Sequence, residues 1–440
     1  MNMKATLFFL GLLVSFAVRG QTLIKSGPML GYSDHKEVAV WVQTTKEVKV
    51  KIRFWEIENP SKPRISESIK TEKKWAYSAT ILADSLLPGK KYQYEVLVNG
   101  KVQNFAYPLQ FQTLALWQFR TDPPEFNIAV GSCTYVNEPG WDRPGGGYGD
   151  SMMVFKSIYE KKPDLMLWIG DNTYTREGDW NTWGGFLHRH THTRSLPELQ
   201  PLLASTHHYA TWDDHEYGPN DADRSFWNKE MASKAFQTFW ANPNGKPLGE
   251  GPVTSTFGWG DCQFFMLDDR WFRAPNNDKD STKAFLGDAQ INWLIDALTF
   301  SRANFKIIAC GGQVINNARF YENYAAYPVE RRKLIDRITA AKIPGILFLS
   351  GDRHHAELSK LERAGTYPLY DLTTSPLTAG VHSAGNEPNT LRVDGTLYNG
   401  RNFALLKLSG TAKERVLKIQ VMSNLGGLVW EKELKSSDLK

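Results

Sequence analysis

Leu165-Met166-Leu167-Trp168-Ile169-Gly170-Asp171-Asn172-Thr173-Tyr174 is the stretch whose reading decides the fold. Five apolar residues end on glycine, and an acidic residue follows at once. A short apolar run bounded by a turn is the pattern of a strand buried on both faces. Such strands deliver polar side chains to the rim of an α/β sheet, beyond their carboxyl ends. The pattern recurs. Ile128-Ala129-Val130 leads into Gly131-Ser132-Cys133, and Ile346-Leu347-Phe348-Leu349 leads into Gly351-Asp352-Arg353-His354. Between them lies Trp212-Asp213-Asp214-His215-Glu216, three carboxylates and an imidazole within five residues.

Taken in order, these strings supply metal-seeking side chains to one place. A phosphate ester repels a nucleophile, and two cations about 3.5–4 Å apart neutralise that charge and acidify water. Such a site needs one carboxylate shared by both ions. Asp171, directly after a buried strand, is the candidate. Tyr174 lies three residues on, about one helical turn, within reach of the same ion. Cys133 offers a soft anionic ligand. Asp352 and His354, one residue apart, are expected on the same side of an extended segment, each serving a different ion. The ordered set reads as a two-metal phosphoesterase.

Before residue 120 the pattern differs. Val38-Ala39-Val40-Trp41-Val42 and Val48-Lys49-Val50-Lys51-Ile52-Arg53-Phe54 read as strands, the second alternating. Leu86-Leu87-Pro88-Gly89 followed by Tyr92-Gln93-Tyr94-Glu95-Val96 resembles the corner before the sixth strand of fibronectin type III sandwiches. A β-sandwich domain is therefore expected over 22–118, with a linker through Asp122-Pro123-Pro124. From Phe126 onward strands alternate with helical stretches at 151–161, 285–298 and 329–341, so a catalytic α/β domain is expected over 126–440.

The chain has 440 residues, 41% hydrophobic and 22% charged, enough for more than one core. A net charge of +5 is too small and too dispersed for a nucleic-acid-binding domain; it mildly favours anionic substrates. Residues 1–20 read as a secretory signal peptide: Lys4, an apolar run from Ala5 to Val18, then Val18-Arg19-Gly20 before Gln21. The run is short of the roughly 20 residues that span a bilayer, and no later run is long enough, so no transmembrane segment is expected after its removal. A periplasmic or secreted protein is expected. Of the cysteines Cys133, Cys262 and Cys310, the last two lie in strand-like runs and read as buried free thiols.

The four motifs, in this order, resemble those of the PhoD-like alkaline phosphatases, within the calcineurin-like metallophosphoesterase fold. Phe265-Met266-Leu267-Asp268-Asp269-Arg270 looks like that family's Leu-Asp-x-Arg strand. The likeness runs from about Gly27 to the C-terminus. It implies an α/β/β/α sandwich carrying an N-terminal fibronectin-III/Ig-like β-sandwich. It implies Fe3+ on Cys133, Asp171, Tyr174 and His354, and Ca2+ on Asp171, Asp214 and Asp352, with Gln313 as a further ligand. It implies that His215 assists the leaving group. One departure is the missing twin-arginine signal. Another is the stretch from Trp180 to Arg194, with His188, His190 and His192; it is expected to be a rim loop in which Arg189 or Arg194 grips phosphate. His207, His208 and His355 are expected to serve structural or surface roles.

The expected activity is hydrolysis of small or polymeric phosphate esters. The rivals are a phosphodiesterase acting on phospholipids or teichoic-acid-like polymers at the same site, a surface-binding protein with an inert second domain, and a metal store. The complete ligand set argues against the inert domain.

Overall fold

The computed structural model describes residues 23–145, 147–243 and 245–440; the signal-peptide stretch lies outside them. Two sheets face each other in the larger part of the molecule. One runs in the order Leu428–Lys435, Val416–Ser423, Asn402–Ser409, Phe126–Gly131, Leu165–Ile169, His207–Thr211, Ile24–Ser33, Val38–Thr44, Ser78–Ala83. The other runs Ser255–Trp259, Cys262–Met266, Phe305–Cys310, Ile346–Ser350, Leu369–Thr374, Ala356–Leu361. The apolar runs read from sequence form the parallel cores of both sheets. Every residue of Leu165–Ile169 and of Ile346–Ser350 is buried, which explains runs without alternation.

Aromatic pairs join the sheets: Tyr209 stacks on Phe257 at 3.6 Å, and Phe126 meets Trp259 at 6.5 Å. Helices close the outer faces. Phe155 of Met153–Glu160 packs on Trp168, Phe239 of Lys229–Phe239 on Trp41, and Trp293 of Asp288–Phe300 on Phe265. The result is an α/β/β/α sandwich.

The helix expected from Phe285 starts later, at Asp288. Glu330 of the neighbouring helix Pro328–Ala340 accepts the backbone N–H groups of Phe285, Leu286 and Gly287 at 2.7, 2.9 and 2.9 Å. That carboxylate holds the three residues as a turn. The stretch expected as a rim loop is instead the helix Trp183–Arg194, opened by Thr182, whose hydroxyl accepts from Gly185 N at 3.1 Å.

The N-terminal β-sandwich is built from Ile24–Ser33, Val38–Thr44 and Ser78–Ala83 on one side, and Lys49–Glu56 with Lys91–Val98 on the other. Tyr92 makes the expected corner: its hydroxyl accepts from Leu87 N at 2.9 Å. The first three of these strands also continue the nine-stranded sheet, because Ile24–Ser33 pairs in parallel with His207–Thr211. Val38–Thr44 is consequently buried throughout. Val38, Val40 and Val42 enter the N-terminal sandwich core, while Ala39 and Trp41 enter the larger core around the facing sheets.

A candidate two-metal centre

Strand ends from both sheets converge on one cluster. Asp171 Oδ2 lies 3.6 Å from Cys133 Sγ and 3.1 Å from the Tyr174 hydroxyl, which is itself 3.1 Å from His354 Nε2. Asp171 also belongs to two further groups, one with Asp213 and Asp352 and one with Asp214 and His215. In each group the ligand atoms lie within 4.8 Å of one another. Asp171 therefore touches both halves of the cluster.

The crowding around Asp213, from its own sheet and from the facing one, requires glycine. A Cβ at Gly170, whose φ is +97°, would stand 2.7 Å from Asp213 Cβ. One at Gly311 would stand 2.5 Å from Asp213 Cγ. Four of the expected ligands have left-handed backbones: Cys133, Asp171, Asp352 and His354, with φ of 59°, 52°, 63° and 56°. This conformation costs a non-glycine residue of order 1–3 kcal/mol and concentrates at functional sites. It also corrects the expectation that Asp352 and His354 share an extended segment. Two left-handed residues flanking Arg353 turn their side chains into the cluster instead.

Glu216 fixes the loop that carries Asp171. Its carboxylate accepts from Asp171 N at 3.0 Å, Asp213 N at 3.1 Å and Thr173 N at 3.2 Å, and also from Asn172 N. Burial nonetheless pushes Glu216 up to about 8. Arg270 is buried among the acids. Its Nε donates to Asp213 at 2.5 Å and its Nη1 to Glu322 at 3.1 Å, and its Nη2 stands 3.8 Å from Asp214. His215 packs on Tyr174, ring centroids 4.0 Å apart, with Nε2 3.9 Å from Asp214 Oδ2. Tyr148 brings its hydroxyl to His354 Nδ1 at 2.9 Å.

The electrostatics divide the cluster. Burial, then Asp171, raises the Cys133 thiol, and the same two causes raise the Tyr174 phenol. Burial lowers His354 to about 4. Burial and neighbouring carboxylates raise Asp171, and burial with Glu322 brings Asp352 to about 7. Asp214 runs against its burial, because His215 and Arg270 hold it below the usual carboxylate range. Asp213 Oδ2 and Asp352 Oδ2 are buried without a hydrogen-bond partner. Crowded carboxylates with orphaned oxygens suit cations.

Three expected site residues stand apart from the cluster. Gln313 turns into a polar network: its oxygen accepts from Arg353 at 3.0 Å and Asn316 at 2.8 Å, and its amide donates to Glu357 and Thr373. Arg189 is fully buried on Asp179 and Glu138. Arg194 lies 3.8 Å over the Trp240 ring, and burial lowers it to about 9. Neither arginine is open to a phosphate, because the face of their helix that carries them packs inward. His207 and His208 are core residues, bonded to Gly31 O and to Trp168 Nε1. All three cysteines are free and buried. A cavity of about 590 Å³ lined by Tyr32, His35, Trp117 and Phe257 belongs to the seam with the N-terminal sandwich, away from the cluster.

Sequence reasoning passed over Asp213 as a ligand and assigned no role to Glu216 or Tyr148. The Asp213-x-x-Glu216 spacing is a helix-capping signature that pointed to Glu216. Tyr148 sits in a glycine-rich loop with no local signal.

The PhoD-like phosphatase family model matches residues 128–404, and a domain of unknown function (DUF7800) matches residues 21–114. Alkaline phosphatase D of Bacillus subtilis (strain 168) is 23% identical over 342 residues, 65% of this chain and 54% of that protein. The chain thus spans about half the length of this curated relative. A solved structure of PhoD superposes with a TM-score of 0.75 at 18% identity, covering 94% of this chain and 90% of that one. Purple acid phosphatase PPD1 from yellow lupin (Lupinus luteus) seeds gives 0.68 at 12% identity, covering 93% and 74%. These two likenesses speak for the fold. The family model covers more than half of the chain and contains every motif gathered at the sheet edges, so this protein belongs to the PhoD-like phosphatase family.

Proposed function

We propose that the protein is an exported phosphatase that hydrolyses phosphate esters at a two-metal site. The observation that carries the reading is the position of Asp171, common to a Cys133, Tyr174 and His354 side and to a carboxylate side. Thiol, phenol, imidazole and carboxylate would hold Fe3+; Asp171, Asp213, Asp214 and Asp352 form an all-oxygen set suited to Ca2+. Gln313 is left out of that set because its oxygen is already taken. Cations there would supply charge neutralisation for a phosphoryl group and acidify water toward neutral pH.

The chain's own residues do the rest. Glu216 holds the Asp171 loop through four backbone N–H groups. Arg270 spaces Asp213 from Glu322. His215, partly exposed and beside Asp214, presents its ring to the leaving oxygen; burial holds its pKa below the ordinary imidazole value, and Asp214 offsets that only in part. Export is supported by the apolar N-terminal run, and among the described residues no helix is long and apolar enough to cross a membrane.

The test is p-nitrophenyl phosphate against bis-p-nitrophenyl phosphate at neutral to alkaline pH, with metals quantified. About one iron per chain, a visible phenolate-to-iron absorption band and faster monoester turnover are expected. A preference for the diester moves the reading to a phosphodiesterase. A colourless, iron-free and fully active protein overturns the iron assignment.

A further inference from the structure

The arginines around the cluster are already neutralised. Arg270 lies between Asp213 and Glu322, Arg353 donates to Glu387 and Gln313, and Arg176 donates to Asp142 at 2.8 Å. They are 0%, 3% and 8% exposed. None has a free face for a second anionic group of a substrate.

What stands exposed around His354 is aromatic. Tyr148 is 47% exposed, its hydroxyl on His354 Nδ1 and its ring edge-on to Tyr135 at 5.2 Å. Tyr321 is 69% exposed and edge-on to His382 at 5.4 Å, and the Arg353 guanidinium lies 5.0 Å from its ring centre. His382 is tied to the same place, since its N donates to His354 O at 2.9 Å. Both tyrosines thus reach the His354 segment, Tyr148 through its hydroxyl and Tyr321 through His382.

Tyr321 also has a left-handed backbone, φ 54°. An aromatic side chain held in that region while facing solvent gains nothing from propensity or burial. Single exposed aromatics are ordinary; two from separate loops flanking one ligand-rich site are a binding feature.

We propose that Tyr321 and Tyr148 select the organic part of the substrate. The ester places its one phosphoryl group on the cluster and a flat, uncharged aromatic or similarly apolar group between the two tyrosines. This rests on the phosphatase reading above.

The test is binding of phenylphosphonate and methylphosphonate to the metal-loaded protein by calorimetry, for wild type and Tyr321→Ala, with turnover of phenyl phosphate measured separately. Wild type is expected to favour the phenyl ligand about tenfold or more, and Tyr321→Ala to shrink that preference about fivefold, the scale of an aromatic contact. Addition of a 4-carboxylate to the phenyl ring is expected to weaken binding to wild type. Tyr321 is exposed, so its loss should leave the melting temperature in place. An equal phenyl preference in both proteins, or none in wild type, overturns the inference. Failure of wild type to turn over phenyl phosphate instead sinks the phosphatase reading and leaves the binding comparison standing.

Discussion

The two halves of the cluster meet the same problem, buried ionisable groups, in opposite ways. On the side of Cys133, Tyr174 and His354, burial favours the uncharged form of every group, so this half is at ease without an ion. On the side of Asp213, Asp214 and Asp352, carboxylates crowd one another; Arg270 offsets part of the charge, and two oxygens stay unpartnered. Both must give up protons to bind a cation: the first from a thiol and a phenol, the second from the raised carboxyls of Asp213 and Asp352. Asp171 belongs to both.

The largest effect should come from removing what the halves share. Asp171→Asn should lose both metals and all measurable activity together; retention of either metal in the purified variant would show that the halves load independently. Next is His215→Ala, which should keep its metals yet lose about 10²–10⁴-fold in rate, the scale of general acid–base catalysis. The loss should shrink for esters with good leaving groups. Equal losses across leaving groups would reassign His215 to charge stabilisation.

The contrast itself can be tested by pH. Without metals, Asp352 at about 7 and Glu216 at about 8 keep protons that the unfolded chain gives up near pH 4. The folded state then binds more protons, so stability falls as pH rises through those values. His207, His208 and His354, lowered to about 4, 3 and 4, act in the opposite direction, but only below about 6.5. From pH 7 to 9 the melting temperature of chelated protein should therefore fall relative to that of loaded protein; Lys306, lowered by burial to about 8, pulls the other way in both and cancels from the comparison. A flat difference between the two would mean the carboxylate half is not frustrated. The smallest effect is expected from Tyr148→Phe. Loss of the hydroxyl on His354 Nδ1 should weaken metal retention about tenfold, the low end for an outer partner of a ligating histidine. Unchanged retention would leave Tyr148 only a rim role.

Much of this was readable from residue order. Apolar runs without alternation identified strands buried on both faces, and the polar residues after them had to meet at one edge; Cys133, Asp171, Tyr174 and His354 do. The reading faltered where local pattern carries no direction. Asp213 and Asp214 are neighbours that both come near Glu322, and only the fold brings Asp213 to Asp352 as well and Asp214 to His215. The stretch from Trp180 to Arg194 reads as a loop because the buried face of its helix holds Arg189, His190, Thr193 and Arg194 beside Phe186 and Leu187, so the apolar stripe that marks a helix is absent. Tertiary partners such as Asp179 and Trp240 make that face buriable, and no window of sequence contains them all.

The strand Ile24–Ser33 has a consequence for how the chain acquires its shape. It leaves the ribosome well before residue 207, yet Leu30 pairs with His207. Its inner face and the Trp41 face beside it stay uncovered until residues beyond 200 have emerged. Pairings so distant in sequence form slowly. The leading sandwich therefore cannot behave as an early, self-sufficient folding unit. Refolding of the whole chain should be slow for its size, and a fragment ending before residue 207 should need a chaperone to stay soluble.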